Sequence, residues 1–145
     1  MRPSVLVLHG PNLNLLGQRE PDVYGSDTLD ELIDVVPRAA AERGLDVEHV
    51  QSNHEGELVD AIQAARDRHA AIVVNPGALT HYAWSLHDAL RTFDGPVVEV
   101  HLSNPNAREP WRHTSVVSPV AVGTISGLGR LGYVLALDAI KELLA

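Results

Sequence analysis

Short apolar runs alternate with longer amphipathic stretches along this sequence. Four apolar runs have the length of strands, at residues 4–8, 70–75, 97–102 and about 120–125, and residues 45–51 alternate between apolar and polar as a further strand would. Continuous apolar runs are typical of parallel strands that helices cover on both faces. The pattern therefore predicts an α/β fold, with a doubly wound, five-stranded parallel sheet in three α/β/α layers.

The amphipathic stretches predict four main helices. Thr28 and Glu31 have the spacing of a capping box that begins the first helix, which we expect to end at Gly44. Pro37 lies inside this pattern and predicts a kink or a break, because proline lacks a backbone donor and crowds the preceding turn. The other helices are expected at residues 53–68, at residues 83–93 and at the end of the chain. The inward faces of the first two consist of Leu29, Leu32, Ile33 and Val36, and of Leu58, Ile62 and Ala65.

The length and the charge narrow the class of protein. We expect one domain over residues 1–145, because two separate cores would each fall near the lower size limit. A net charge of −8 argues against a general affinity for nucleic acid or for an anionic membrane. No apolar run has the length of a signal-peptide core or a membrane span, so we expect a cytoplasmic protein.

The available residue types limit the chemistry. The chain has no cysteine, which excludes disulfides, thiol nucleophiles and cysteine-based metal sites. Its only lysine, Lys141, lies close to the chain end, where an imine with a substrate is not expected. Imine chemistry is therefore disfavoured.

Ligands of a doubly wound sheet bind at the carboxyl ends of the strands, so the loops after strands one, three and four are the place to search. Glu99 and His101 are two residues apart on strand four and share a face of the sheet. The carboxylate would hold one ring nitrogen while the other meets a substrate. A satisfied buried pair is the alternative, and a metal site with His81 is another.

Positively charged side chains lie in two of these loops. Arg19 and Tyr24 belong to the segment 17–25, which glycines flank and which is long enough to form a lid. A nearby guanidinium would favour the phenolate that a tyrosine needs to act as a base. Arg108 and Arg112 add positive charge after strand four, so an acidic protein can still offer a cationic mouth to a small carboxylate.

The loop after strand three supplies further polar groups. Asn75 ends the strand, and the backbone amides of residues 76–78 could hold ligand oxygens at a helix start. His81 and Asp88 are seven residues apart, so on a helix that begins near Thr80 they would share a face. Polar residues at this spacing are also typical of a solvated face.

The spacing of Gly127, Gly129 and Gly132 matches the dinucleotide fingerprint. That fingerprint needs a further strand and an acidic residue about 20 residues later. The sequence reaches only Ala145, so we interpret these glycines as positions where the last helix packs closely on the sheet.

Several motifs in order resemble the type II 3-dehydroquinate dehydratases, and the resemblance covers essentially the whole chain. Leu79 and Trp111 depart from the aromatic residue and the phenylalanine that are usual in this family, which affects pocket packing rather than reaction type. The matching stretches are His9 to Asn14, Arg19 to Pro21, Tyr24-Gly25, Asn53 to Gly56, Asn75 to Ala78, Thr80-His81, Glu99 to Asn104, Arg108 to Pro110, Gly127 to Gly129 and Gly132-Tyr133.

The resemblance implies a hydro-lyase that needs no cofactor, no metal and no Schiff base. It would convert 3-dehydroquinate to 3-dehydroshikimate by anti elimination through an enolate, in the shikimate pathway of aromatic amino-acid biosynthesis. Tyr24 beside Arg19 would remove the proton next to the ketone. Asn12 would help to stabilise the enolate, and His101, oriented by Glu99, would protonate the departing hydroxyl.

The resemblance also implies how substrate and subunits are held. The substrate carboxylate would bind the backbone amides of Leu102 and Ser103. The ring hydroxyls would bind Asn75, His81 and Arg112, and Arg108 would join the closing network.

The resemblance implies an assembly as well. The family forms a homododecamer, a tetramer of trimers, in which an aspartate, here Asp88, reaches a neighbouring subunit's site.

Two other classes of function stay open. A non-catalytic, flavodoxin-like binding module for a small polyhydroxy acid would keep the carboxylate site but would tolerate the loss of Arg19 or Tyr24. A metal-dependent hydrolase that uses His81, Glu99 and His101 would lose its activity in a chelator.

Overall fold

Five parallel strands form the centre of the computed structural model, which describes residues 1–145. Their order in the sheet is β2-β1-β3-β4-β5, which is the flavodoxin-like order of a doubly wound sheet. The predicted fold class is therefore confirmed. The strands are β1 (Ser4–His9), β2 (Asp46–Gln51), β3 (Ala71–Asn75), β4 (Val97–His101) and β5 (Gly123–Ser126).

Helices cover both faces of this sheet. Side chains of β1 alternate between two cores, since Val5 and Val7 belong to one and Leu6 and Leu8 to the other. The first core includes α2 and α5, and the second includes α3 and α4. None of the helices has both the length and the hydropathy that a membrane span requires. The helices are α1 (Pro21–Tyr24), α2 (Leu29–Glu42), α3 (Glu55–Ala65), α4 (Trp84–Arg91) and α5 (Leu131–Leu143).

Helix α2 begins as predicted but does not break at Pro37. The Thr28 hydroxyl accepts a hydrogen bond of 3.2 Å from the backbone amide of Glu31, so the N-cap is confirmed. The helix continues through Pro37 to Glu42, and the expected break is wrong. Proline deprives the carbonyl of Ile33 of its partner, and this residue is on the exposed side of the helix, where water replaces the lost donor. The buried face consists of Leu32, Val36 and Ala40, so the prediction that Ile33 faces inward is also wrong.

Strand β5 starts later than its apolar run predicted. Residues Ser118–Val120 form a 3-10 turn, and the strand begins only at Gly123. The backbone amides of Val120 and Ala121 donate to the carbonyl of Val117 within this turn, so they are not available to the sheet ladder. The segment between β1 and α2 contains the short helix α1 and a 3-10 turn at Leu13–Leu15.

The last glycine of the 127–132 motif lies where α5 touches the sheet. A β-carbon on Gly132 would lie 3.1 Å from a methyl group of Val100 and 3.5 Å from one of Ile125. The contact with Val100 is tighter than packed side chains usually show, and the one with Ile125 is an ordinary contact. The interpretation of close packing between helix and sheet is confirmed at Gly132, whereas a β-carbon on Gly129 would meet nothing within 4 Å.

Candidate active site

A pocket of about 150 Å³ opens at the carboxyl ends of β1, β3 and β4. Its position is the one that a doubly wound sheet favours for a ligand. Among the residues singled out from the sequence, Glu99 and Asp88 do not line it. The others do, and they are Asn12, Arg19, Tyr24, Asn75, His81, His101, Leu102, Ser103, Arg108 and Arg112.

The loop after β1 approaches the loop after β3 because of one glycine. A β-carbon on Gly10 would lie 2.4 Å from the carbonyl oxygen of Pro76, so no other residue fits there. The amide of Gly10 also donates a hydrogen bond of 2.7 Å to the carbonyl of Asn75. Asn12 then adopts a left-handed backbone with φ of 70°, which asparagine tolerates better than most residues. This turn brings Asn12 to the pocket wall.

Two guanidinium groups flank Tyr24. The Arg19 Nη2 donates a hydrogen bond of 3.3 Å to the Tyr24 hydroxyl oxygen. The Arg19 Cζ lies 4.5 Å from the centre of the ring, and the Arg108 Cζ lies 5.0 Å from it. The Tyr24 hydroxyl therefore accepts a hydrogen bond from a cationic side chain inside the pocket, and a second guanidinium lies near the same ring.

Glu99 is buried, with 1% of its surface exposed, and it binds His101. The distance from its Oε2 to the Nε2 of His101 is 2.5 Å. Burial opposes the charge on Glu99, but hydrogen bonds and positive charge from His101 outweigh it, with help from Thr80 and Ser118, and the pKa of Glu99 is lowered. Glu99 is therefore a carboxylate. Because it binds Nε2, the ring nitrogen Nδ1 of His101 is the one left for a ligand.

Three hydroxyl groups around Glu99 were not foreseen from the sequence. The hydroxyls of Thr80, Ser118 and Ser115 lie 2.5, 2.8 and 3.2 Å from its carboxylate oxygens. These residues follow β3 and β4 at large sequence separation. The only signal for them was the general one that a buried carboxylate needs hydrogen-bond donors.

His81 and Arg112 are arranged around Trp111. The Arg112 Cζ lies 4.0 Å from the centre of the Trp111 ring, and the His81 ring meets the same ring edge-on at 5.3 Å. His81 Nδ1 donates a hydrogen bond of 2.6 Å to the carbonyl of Thr114. Burial is the main cause that lowers the pKa of His81. The neutral ring therefore offers Nε2 as an acceptor for a substrate hydroxyl.

The pocket wall is cationic although the chain is acidic. Arg19, Arg108 and Arg112 all line it, while the net charge of the chain is −8. Arg108 also donates a hydrogen bond of 3.2 Å to the hydroxyl of Ser103, and its Cζ lies near the ring of Tyr24, so it links the loop after β4 to the segment 17–25. Such a wall suits a small carboxylate ligand.

Asp88 lies outside this pocket, exposed on α4. The expectation that His81 and Asp88 share one helix is wrong. His81 ends a 3-10 turn at Gly77–His81, and α4 begins only at Trp84. The backbone at Tyr82 is not helical, with φ of −154°, and it separates the two elements.

A shared metal ion would need several histidine or carboxylate side chains around one point. No three such side chains lie close enough together to hold one. His101 and Glu99 are already joined to each other at 2.5 Å. The arrangement suits proton transfer better than metal binding.

Comparison with known proteins shows extensive similarity. A family model described as Dehydroquinase class II matches residues 3–141. The 3-dehydroquinate dehydratase of Roseiflexus castenholzii is 56% identical over 93% of this chain and 86% of its own, and that of Corynebacterium glutamicum (strain R) is 51% identical over 99% of both. The crystal structure of a type II dehydroquinase from Propionibacterium acnes has a TM-score of 0.94 at 45% identity and covers 98% of both chains.

Proposed function

The chain belongs to the class II dehydroquinase family, and we propose that it converts 3-dehydroquinate to 3-dehydroshikimate by anti elimination through an enolate, without a cofactor. One observation carries the proposal. Tyr24, bonded to Arg19 at 3.3 Å, lines the same pocket as His101, which Glu99 holds at 2.5 Å. A base and an acid are thereby available to one bound substrate.

The first step is removal of the proton next to the ketone. Tyr24 takes this proton as a phenolate, and the electron pair of the carbon–hydrogen bond moves to the ketone oxygen. The resulting enolate needs a hydrogen-bond donor at that oxygen. Asn12, which lines the pocket, supplies it through its side-chain amide, directly or through a water molecule.

The second step expels the hydroxyl group. The enolate returns its electrons, the carbon–oxygen bond breaks, and His101 donates a proton so that water leaves. In the imidazolium form, Nε2 donates to the carboxylate of Glu99 and Nδ1 carries the proton that the departing hydroxyl receives. Tyr24 then returns its proton to solvent and His101 regains one.

The remaining pocket residues bind the substrate. The carboxylate is held by the backbone amides of Leu102 and Ser103 in the cationic surroundings described above. Ring hydroxyls bind Asn75, His81 and Arg112, and Arg108 joins the closed lid. The neutral Nε2 of His81 supports its part in this proposal, because it can only accept a hydrogen bond.

The proposal includes an assembly and a place in metabolism. We expect a homododecamer in which Asp88 of one chain reaches the site of another, and the exposure of Asp88 and Trp84 on α4 supports this. Light scattering on the purified protein measures the number of chains. We also propose that the reaction is a step of the shikimate pathway in the cytoplasm, as suits a biosynthetic enzyme.

Purified protein is expected to raise the near-ultraviolet absorbance of a 3-dehydroquinate solution. The product has a double bond conjugated to its ketone, and the substrate lacks this conjugation. Heat-denatured protein is the control. A folded protein that binds 3-dehydroquinate by calorimetry without any rise in absorbance would favour the binding module instead.

A further inference from the structure

A chain of buried polar side chains runs from the pocket into the core. Asn75 Nδ2 donates a hydrogen bond of 3.0 Å to the Tyr133 hydroxyl. The Tyr133 hydroxyl lies 3.2 Å from Nδ1 of His9, and Nε2 of His9 lies 2.8 Å from Nδ1 of His49. Asn75, Tyr133 and His9 are at most 2% exposed. None of these contacts is used by the reaction steps described above, although Asn75 lines the pocket.

One backbone amide sets the direction of this chain. The amide of Gly77 donates a hydrogen bond of 3.2 Å to Oδ1 of Asn75, so Nδ2 is the atom that faces Tyr133. The Tyr133 oxygen therefore accepts from Asn75, and its own proton goes to Nδ1 of His9. His9 then carries its proton on Nε2 and donates it to His49 Nδ1, since a neutral imidazole has one donor and one acceptor.

Both histidines keep this pattern at neutral pH. Burial, with the nearby charge of His49, lowers the pKa of His9 to about 3. Burial lowers the pKa of His49 to about 4. Burial also raises the pKa of Tyr133 above its usual value, so the hydroxyl keeps its proton.

The unpaired atom of the chain lies at the end remote from the pocket. Nε2 of His49 is buried without a hydrogen-bond partner, and a buried polar group left unpaired costs free energy. Reversing every hydrogen bond would require Asn75 to turn its oxygen towards Tyr133, which would remove the contact between Oδ1 and Gly77. The unpaired atom is therefore Nε2 of His49, and the amide of Asn75 keeps a single orientation.

We propose that Tyr133 and His9 are positioning residues, which fix the amide of Asn75 so that its second Nδ2 hydrogen is presented to a hydroxyl oxygen of the substrate. The proposal rests on the proposed function, since it concerns the substrate of that pocket. Asn75 has two Nδ2 hydrogens, of which Tyr133 takes one. A substrate group at this position must therefore accept a hydrogen bond, and a pocket with a freely rotating amide would not discriminate in this way.

The test compares Tyr133→Phe with the wild-type protein and with Tyr82→Phe. The variant keeps the ring and removes only the hydroxyl that holds Asn75. We expect KM for 3-dehydroquinate to rise about tenfold while kcat stays within about twofold, because an orienting hydrogen bond is lost in the bound and transition states alike. Tyr82 is 62% exposed and lies outside the pocket, so Tyr82→Phe should leave both constants unchanged.

A double-mutant cycle separates positioning from a general loss of packing. In an Asn75→Ala background, Tyr133→Phe should raise KM no further, because the amide through which it acts is gone. Additive effects of the two substitutions would overturn the proposal, as would a wild-type KM in Tyr133→Phe. If the wild-type protein and Tyr82→Phe also fail to turn over 3-dehydroquinate, the proposed function itself fails. The same variants are then compared by the Kd of 3-dehydroquinate, measured by calorimetry.

If Tyr133→Phe does not fold, the variant His49→Phe tests the proposal in its place. His49→Phe keeps a ring in the stack with His9, whose ring centre lies 5.1 Å away, and removes the acceptor of the His9 Nε2 proton. His49 is only partly buried, so its replacement is better tolerated. We expect KM to rise about threefold in the wild-type background and not at all in Asn75→Ala. An unchanged KM in both backgrounds would contradict the proposal.

Discussion

Replacing Tyr24 with phenylalanine is expected to lower kcat by about a thousandfold while folding and substrate binding stay largely intact. The substitution removes the hydroxyl that Arg19 contacts at 3.3 Å, and with it the only atom that can accept the proton. General bases contribute roughly 10² to 10⁴ to the rate, which sets the scale. The phenyl ring keeps its place between the guanidiniums of Arg19 and Arg108.

The measurement for Tyr24→Phe combines three readouts. Absorbance gives turnover, calorimetry gives the Kd of 3-dehydroquinate, and thermal unfolding reports the fold. Tyr82→Phe is the matched control, because it removes a hydroxyl from an exposed tyrosine outside the pocket. Near-normal turnover in a folded Tyr24→Phe protein would remove Tyr24 from the role of base.

Replacing His101 with alanine is expected to impair the elimination more than the first proton transfer. His101 acts only when the hydroxyl leaves, whereas Tyr24 and Asn12 form the enolate. In deuterium oxide, substrate should therefore still exchange its proton next to the ketone, while product formation falls by about 10² to 10⁴. Mass spectrometry of the recovered substrate measures the exchange, and absorbance measures the product.

The control for His101→Ala is His54→Ala, which removes an exposed histidine outside the pocket. Both rates should remain at the wild-type value in that variant. Loss of exchange and of elimination to the same extent in His101→Ala would contradict the assignment of His101 as the acid of the second step.

Much of the fold follows from local patterns. The apolar runs predict β1, β3 and β4, because burial on both faces requires continuous apolar residues, and alternation predicts the half-buried edge strand β2. The capping box at Thr28 predicts the start of α2, since the contact between the hydroxyl and the amide spans only three residues. Pro37 could not be interpreted correctly in the same way, because the burial of Val36 before it and of Ala40 after it holds the helix together across it.

The site was predictable only in part, because local spacing shows which residues near in sequence meet but not which distant residues do. The pair of Glu99 and His101 is visible from the sequence because a strand brings alternate residues to one face. The contact between Tyr133 and His9 joins residues 124 positions apart, and no local spacing predicts it. The hydroxyl group of Ser118 likewise reaches Glu99 only through the turn that precedes β5.

The central claim is that side chains alone carry out this elimination. Its most direct test is the rate of product formation from 3-dehydroquinate by protein from which a strong chelator has removed all metal. We predict the same rate as that of untreated protein, because Tyr24, Arg19 and His101 supply the base, its stabilising charge and the acid. A rate that falls to the background and returns when a divalent cation is added would contradict the account.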